Sequence, residues 1–276
     1  MLGFEAGPVR VRVALSGDSL LFGADGPDQE SAEEAITQMR FALGVDDDLS
    51  EFHRLFSSDP VIGRSVRRRP HLRPHRRPRP WEALAWAVTE QLIEYVRAAA
   101  IQRRLVRRAG ARHNEWGLSD VPTPQAIAAL APAELVALDL AASRAITLRT
   151  IAAAVADGRV VFGEDRTAGE RASQLATVTP TASAFATTVL SAPSELLMRS
   201  LTRFTGIGTW TAEITALHGV GDFSVVPAGD LNYMKAVGRR ISGGDPKAVA
   251  SEAEVRAFFE PYAPWGGLAA AHFVSA

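Results

Sequence analysis

The sequence predicts a mainly α chain, with helical domains preceded by a small α+β lobe that carries an antiparallel sheet. Three observations carry this expectation. Residues 9–15 alternate apolar and polar side chains up to Gly17-Asp18, after which Ser19–Gly23 reads as a returning strand. Apolar residues at helical spacing then recur through most of the chain. Near residue 207, two apolar helical runs are joined by the tight turn Gly206-Ile207-Gly208.

In chain order, a small lobe is expected over residues 1–63. After the hairpin, Ser31 can cap a helix running from Glu33 to Leu43, which Gly44 can close. Asp46-Asp47-Asp48 marks a boundary before a short helix from Leu49 to Ser57. Residues 64–80 form an Arg/Pro-rich strap, because Pro70, Pro74, Pro78 and Pro80 lack the amide hydrogen a continuous helix needs. The helical region follows over 81–276. One helix is expected from Trp81 to about Arg108, then shorter ones near 124–130, 132–138 and 143–157. The Thr/Ala/Ser-rich stretch 163–191 receives no assignment. From Ser194 the pattern is helix, hairpin and helix to about residue 220, a loop holding Asp230, a helix to about 241, and terminal helices near 251–260 and 266–273.

Hydrophobic residues make up 47% of the 276, enough for a substantial core. The opening residues lack the basic-then-apolar run of a secretion signal, and no apolar stretch reaches membrane-spanning length, so a cytoplasmic protein with no membrane partner is expected. The absence of cysteine excludes disulfides, thiolate zinc sites and cysteine-bound iron–sulfur clusters. The histidines show no metal-ligand spacing beyond the His71/His75 pair, and neither a metal nor a required cofactor is expected.

A net charge of −1 argues against a nucleic-acid partner only until its distribution is considered. Eight arginines lie between Arg64 and Arg79 with no acid among them, so the remaining residues sum to −9. This strap can approach DNA phosphates, bind acidic groups of its own chain, or stay solvated.

The hairpin Thr205-Gly206-Ile207-Gly208-Thr209 is the most informative stretch. Glycines allow positive φ and close approach by another chain, and the helix opening at Thr209 offers its first amide hydrogens and its positive dipole end to an anion. It reads as a helix-hairpin-helix. A carboxylate follows in Val226-Pro227-Ala228-Gly229-Asp230. Asp230 has two compatible readings: N-cap of the helix beginning at Leu231, and a lone carboxylate available for chemistry one helix beyond the hairpin.

On these residues the chain resembles the helix-hairpin-helix DNA glycosylase superfamily, and within it the bacterial 3-methyladenine glycosylase II branch. Gly206 to Ala212 matches the hairpin motif, and Asp230 matches the catalytic Asp. Trp81-Glu82-Ala83-Leu84 through Thr89-Glu90-Gln91-Leu92 resembles the helix that brings a Gln and a bulky wedge beside DNA, while Pro122–Gln125 and Tyr262–Trp265 also fit. The resemblance implies a DNA repair enzyme associated with the bacterial nucleoid. Acting as a monomer, it would flip alkylated purines out of duplex DNA and hydrolyse their glycosidic bond, starting base excision repair. It also implies a structural monovalent cation on the hairpin. A glycosylase for another damaged base such as an oxidised purine, and a non-catalytic binder of damaged DNA, are the alternatives.

Other residues retain two readings each. Leu92 is a wedge or a core leucine, and Gln91 beside it is a contact to the opposite strand. Trp210 and Trp81 are either base-stacking surfaces or core aromatics. Trp210 occupies the position where strand-cleaving relatives carry a Lys nucleophile, and Lys235 reads as a surface charge, so hydrolysis without lyase chemistry is expected. Ile214 and Val274 stand where the family has aromatic residues, which leaves lesion preference open.

Overall fold

The computed structural model describes residues 1–17, 19–162 and 194–275; the Thr/Ala-rich stretch 163–191 lies outside the described residues. The chain gathers into two compact units, one from Met1–Asp46 with Arg76–Arg159 and the other from Asp47–His75 with Val160–Ala276. This differs from the linear division expected from the sequence. Residues 47–63 leave the N-terminal lobe and share a core with the C-terminal helices, through contacts that no local pattern encodes.

The first unit opens with strands β1 (Leu2–Phe4), β2 (Gly7–Ser16) and β3 (Ser19–Asp25), antiparallel in the order β1-β2-β3. Ser16 pairs with Ser19 and Val13 with Phe22, the register set by the two-residue connection. Strand β1 was not anticipated, since three residues are too few for alternation to show. Leu2, Val9 and Ala35 bury a small core here, with Val11 and Met39 against it.

The helix over this sheet is Gln29–Leu43, and its cap differs from the expected one. Asp28, not Ser31, is the N-cap: its carboxylate accepts the Ser31 amide hydrogen at 2.8 Å, which draws Ser31 into the first turn. Gly44 closes the helix as expected, at φ 63°.

The single helix expected over 81–108 is two, Pro80–Glu90 and Tyr95–Ala109. They are separated by a turn in which Leu92 adopts φ 55°. Arg144 supplies the reason: its guanidinium donates to the Gln91 carbonyl at 2.6 Å and the Thr89 carbonyl at 3.4 Å, satisfying acceptors that a continuing helix would have used. Helices Pro124–Ala128, Pro132–Ala137 and Ala142–Ala156 complete the unit close to their expected bounds. Pro80, Pro124 and Pro132 each stand in the first turn of their helix, where the missing amide hydrogen costs nothing. Leu84, Ile101, Leu105, Leu135, Leu148 and Ile151 are fully buried.

In the second unit, helices Ser50–Phe56 and Gly63–Arg68 pack into a core shared with Val237, Val255, Phe259, Tyr262 and Leu268. The strap therefore begins as helix, up to Arg68, and then turns, with the Leu72 amide bonded to the Arg69 carbonyl at 2.9 Å. Ser65 Oγ lies 3.1 Å from His272 Nδ1, and the His272 ring stacks on Phe52 at 5.4 Å between centroids. Residues 194–201 form the helix before the hairpin. Helix Thr209–Thr215 follows, widens into a π turn over Ala216–Val220, and stops at Gly221 with φ 85°. Helices Leu231–Ile241, Glu252–Phe259 and Gly266–Val274 finish the unit, with Ser251 and Glu254 forming a capping box. Among the described residues no helix is long and apolar enough to cross a membrane.

Candidate active site

The hairpin lies on the surface of the second unit and is pinned from below. Leu201 and Ile207 are buried, whereas Thr205, Gly206, Gly208 and Thr209 are exposed. Gly206 takes the expected positive φ, at 87°. Gly208 does not: as N-cap of the second helix it is extended, with φ −92° and ψ 175°. A side chain there would meet nothing within 4 Å, so its glycine leaves open space over the helix start. The Ile207 amide is spent inside the turn on the Phe204 carbonyl at 3.0 Å, while Ala212 makes the helical bond back to Gly208 at 3.1 Å.

Asp230 combines both of its readings in one conformation. Oδ1 accepts the Asn232 amide hydrogen at 2.8 Å, which makes Asp230 the N-cap of Leu231–Ile241. Oδ2 accepts the indole Nε1–H of Trp210 at 3.3 Å. The side chain is half-buried, and each carboxylate oxygen retains a lone pair after these contacts. Burial, reinforced by the charge of Asp230, pushes the Tyr233 phenol up to about 12, so this neighbouring ring stays neutral at physiological pH.

The loop before Asp230 is tightly held. Pro227 and Ala228 are buried, and the Asp230 amide closes a turn onto the Pro227 carbonyl at 2.9 Å. A Cβ at Gly229 would come within 3.0 Å of Glu252 Oε1, the end of an exposed side chain, and 3.7 Å of Trp210 Cβ, an ordinary contact. Behind the loop lies Glu213, which sequence reasoning passed over. It is buried, and its Oε1 receives Arg256 Nη2 at 2.6 Å. Burial pushes the Glu213 carboxyl above its ordinary range, against the opposing influence of Arg256 and the Ala228 amide. Its signal in the sequence was an acid inside the run Thr211-Ala212-Glu213-Ile214-Thr215-Ala216.

In the first unit, Leu92 is fully exposed at the turn between helices, which excludes the core reading. Gln91 beside it is half-buried, and Tyr95 and Val96 are exposed. Trp81 is a correction. It is buried, and its Nε1–H is committed to the Pro122 carbonyl at 2.8 Å, which makes it a core aromatic rather than a stacking surface.

Ile214 is half-buried, Val274 is exposed, and Lys235 is exposed on the helix that Asp230 caps. Much of the strap is spent on its own chain: Arg73 pairs with Asp47 at 3.0 Å, Arg77 with Glu82 at 3.4 Å, and Arg79 with Asp120 at 3.0 Å. No group of three or more His, Asp or Glu that could hold a metal ion occurs among the described residues.

No protein-family model and no curated protein sequence matches the chain. Solved structures do. The 3-methyladenine DNA glycosylase of Archaeoglobus fulgidus aligns with TM-score 0.74 and 20% identity, over 99% of this chain and 84% of that one. The 8-oxoguanine glycosylase/lyase of Clostridium acetobutylicum, bound to duplex DNA with cytosine opposite 8-oxoguanine, aligns with TM-score 0.66 and 16% identity over 96% and 80%. The Schizosaccharomyces pombe 3-methyladenine DNA glycosylase, bound to abasic DNA, aligns with TM-score 0.59 and 24% identity over 82% and 95%. The chain has the fold of the helix-hairpin-helix DNA glycosylases.

Proposed function

We propose that this protein is a monofunctional DNA glycosylase that hydrolyses the N-glycosidic bond of alkylated purines in duplex DNA. The observation that carries the reading is the Asp230 carboxylate, held by the Trp210 indole and a helix N-terminus in the unit that also exposes the glycine hairpin. Departure of the base leaves positive charge on the sugar, and the fixed Asp230 carboxylate stabilises that charge and orients the attacking water. An alkylated purine of the 3-methyladenine type is already cationic. It leaves without strong protonation, so one carboxylate suffices.

The remaining roles follow from the chemistry. The exposed start of the hairpin helix, at Gly208 and Thr209, anchors a phosphate, and Leu92 fills the gap left by the extruded nucleotide while Gln91 meets the opposite strand. The π face of Trp210 supports an electron-poor base. Trp210 stands where a nucleophilic Lys would be needed for strand cleavage, which favours hydrolysis alone.

The structural likeness to an 8-oxoguanine glycosylase/lyase keeps an oxidised-purine substrate in view. Mass spectrometry of free bases released from methylated, oxidised and deaminated duplexes decides between these. Methylated purines are expected, without β-elimination at the resulting abasic sites. Release confined to oxidised bases, or strand cleavage abolished by Lys235→Ala, contradicts the proposal.

A further inference from the structure

We infer that Glu213 and Arg256 are positioning residues, whose ion pair locks the loop Ala228-Gly229-Asp230 against the hairpin helix and so keeps the Asp230 carboxylate on Trp210. This rests on the glycosylase reading above. Glu213 follows Trp210 by three residues on helix Thr209–Thr215, so both side chains project toward the same side of that helix. Arg256 comes from a different helix, Glu252–Phe259, and meets Glu213 Oε1 at 2.6 Å. The Ala228 amide faces the Glu213 carboxylate from the loop itself. Gly229 lies between Glu252 and Trp210, close to the Glu252 carboxylate. Three elements thus converge on one carboxylate that is only 4% exposed.

A buried carboxylate is a costly way to fill space, since an apolar side chain of similar size packs without desolvating a charge. The second oxygen, Glu213 Oε2, is sealed from solvent and makes no well-formed hydrogen bond among the described residues. What the pair supplies is direction. Its hydrogen-bonding geometry fixes the hairpin helix, the Arg256 helix and the loop relative to one another, which greasy contacts at the same position would leave free to slide. Arg256 also offsets the negative charge of Glu252, which acts on Glu213.

The test uses full-length Glu213→Gln, Arg256→Gln and Arg256→Lys proteins, with folding checked by thermal unfolding. Arg256 is partly exposed, so its variants remain informative if Glu213→Gln does not fold. Three readouts are taken: single-turnover base release from methylated duplex, affinity for a duplex holding a stable abasic-site analogue, and hydrogen exchange of amides 226–232. The two Gln variants are expected to lose release by about 10²-fold, as for a carboxylate displaced by about 1 Å. Their DNA affinity should hold, exchange in the loop should quicken, and Arg256→Lys should recover part of the rate. Unchanged exchange and release, or a loss of affinity that parallels the loss of release, overturns the inference. A wild-type protein that releases no base defeats the glycosylase reading instead, and the exchange measurement then still decides whether the pair locks the loop.

Discussion

Leu92 holds a backbone conformation that leucine avoids, φ 55°, while its side chain stands wholly in solvent. A left-handed conformation costs a residue with a Cβ about 1–2 kcal/mol, and no burial repays it here. Strain of this kind persists where the surrounding structure over-determines it, here through the Arg144 bonds to the Gln91 and Thr89 carbonyls, and the side chain it presents to solvent is the wedge of the proposed reading. Leu92→Gly is therefore expected to raise unfolding free energy by about 1 kcal/mol in denaturant titrations, because glycine adopts this φ without penalty. The same variant should release bases from duplex DNA more slowly. Equal or faster release from duplex would show that the leucine does not act as a wedge. The sequence left Leu92 between two readings because its spacing also suits a helix interior; the dihedral and the exposure separate them. Asp230 needed no such choice, since capping and carboxylate chemistry use different lone pairs of one side chain.

Several helix ends were legible because the residues that make them are local, although the equally local Asp28 cap was read as Ser31. Gly44, Pro124, Pro132 and the Ser251/Glu254 box all act within one turn of their own helix. The break after Glu90 was not legible, because no Gly or Pro marks it and its donor, Arg144, is 53 residues from the Gln91 carbonyl it serves. The joint between helices Gly63–Arg68 and Gly266–Val274 is equally non-local, resting on Ser65 and His272. Burial, with the charges of His53 and Arg69 adding to it, lowers His272 from its ordinary 6.5 to about 4. The unfolded state then binds a proton that the folded state refuses, so stability from this site is full above pH 6.5 and is lost as pH falls toward 4. The loss is of the order of 3 kcal/mol. Denaturant titrations of wild type and His272→Phe across that interval should give curves that diverge, with the variant flatter. Parallel curves would mean that the proton enters the folded protein freely.

At the scale of the whole molecule, the acidic run Asp46-Asp47-Asp48, read from the sequence only as a boundary before a short helix within one lobe, is where the chain crosses between compact units. That residues 47–75 then join the C-terminal helices could not be read locally, since Phe52, Ile62 and Val66 look like any amphipathic segment until their partners are known. The Arg/Pro strap shows the same limit. Its cluster of positive charge left three readings open, and for Arg73, Arg77 and Arg79 the structure selects pairing with acids of the chain itself. The hairpin, by contrast, was readable almost in full, because glycine geometry and buried flanking residues are local properties. Its glycines face solvent in the unit that holds Asp230 on Trp210. The most direct test of this arrangement is single-turnover release of 3-methyladenine from methylated duplex by wild type and Asp230→Asn, with affinity measured for the same duplex. Loss of release by about 10²–10³-fold at unchanged affinity is expected. An Asn variant that releases the base at the wild-type rate, or a wild-type protein that binds the duplex and releases nothing, would contradict it.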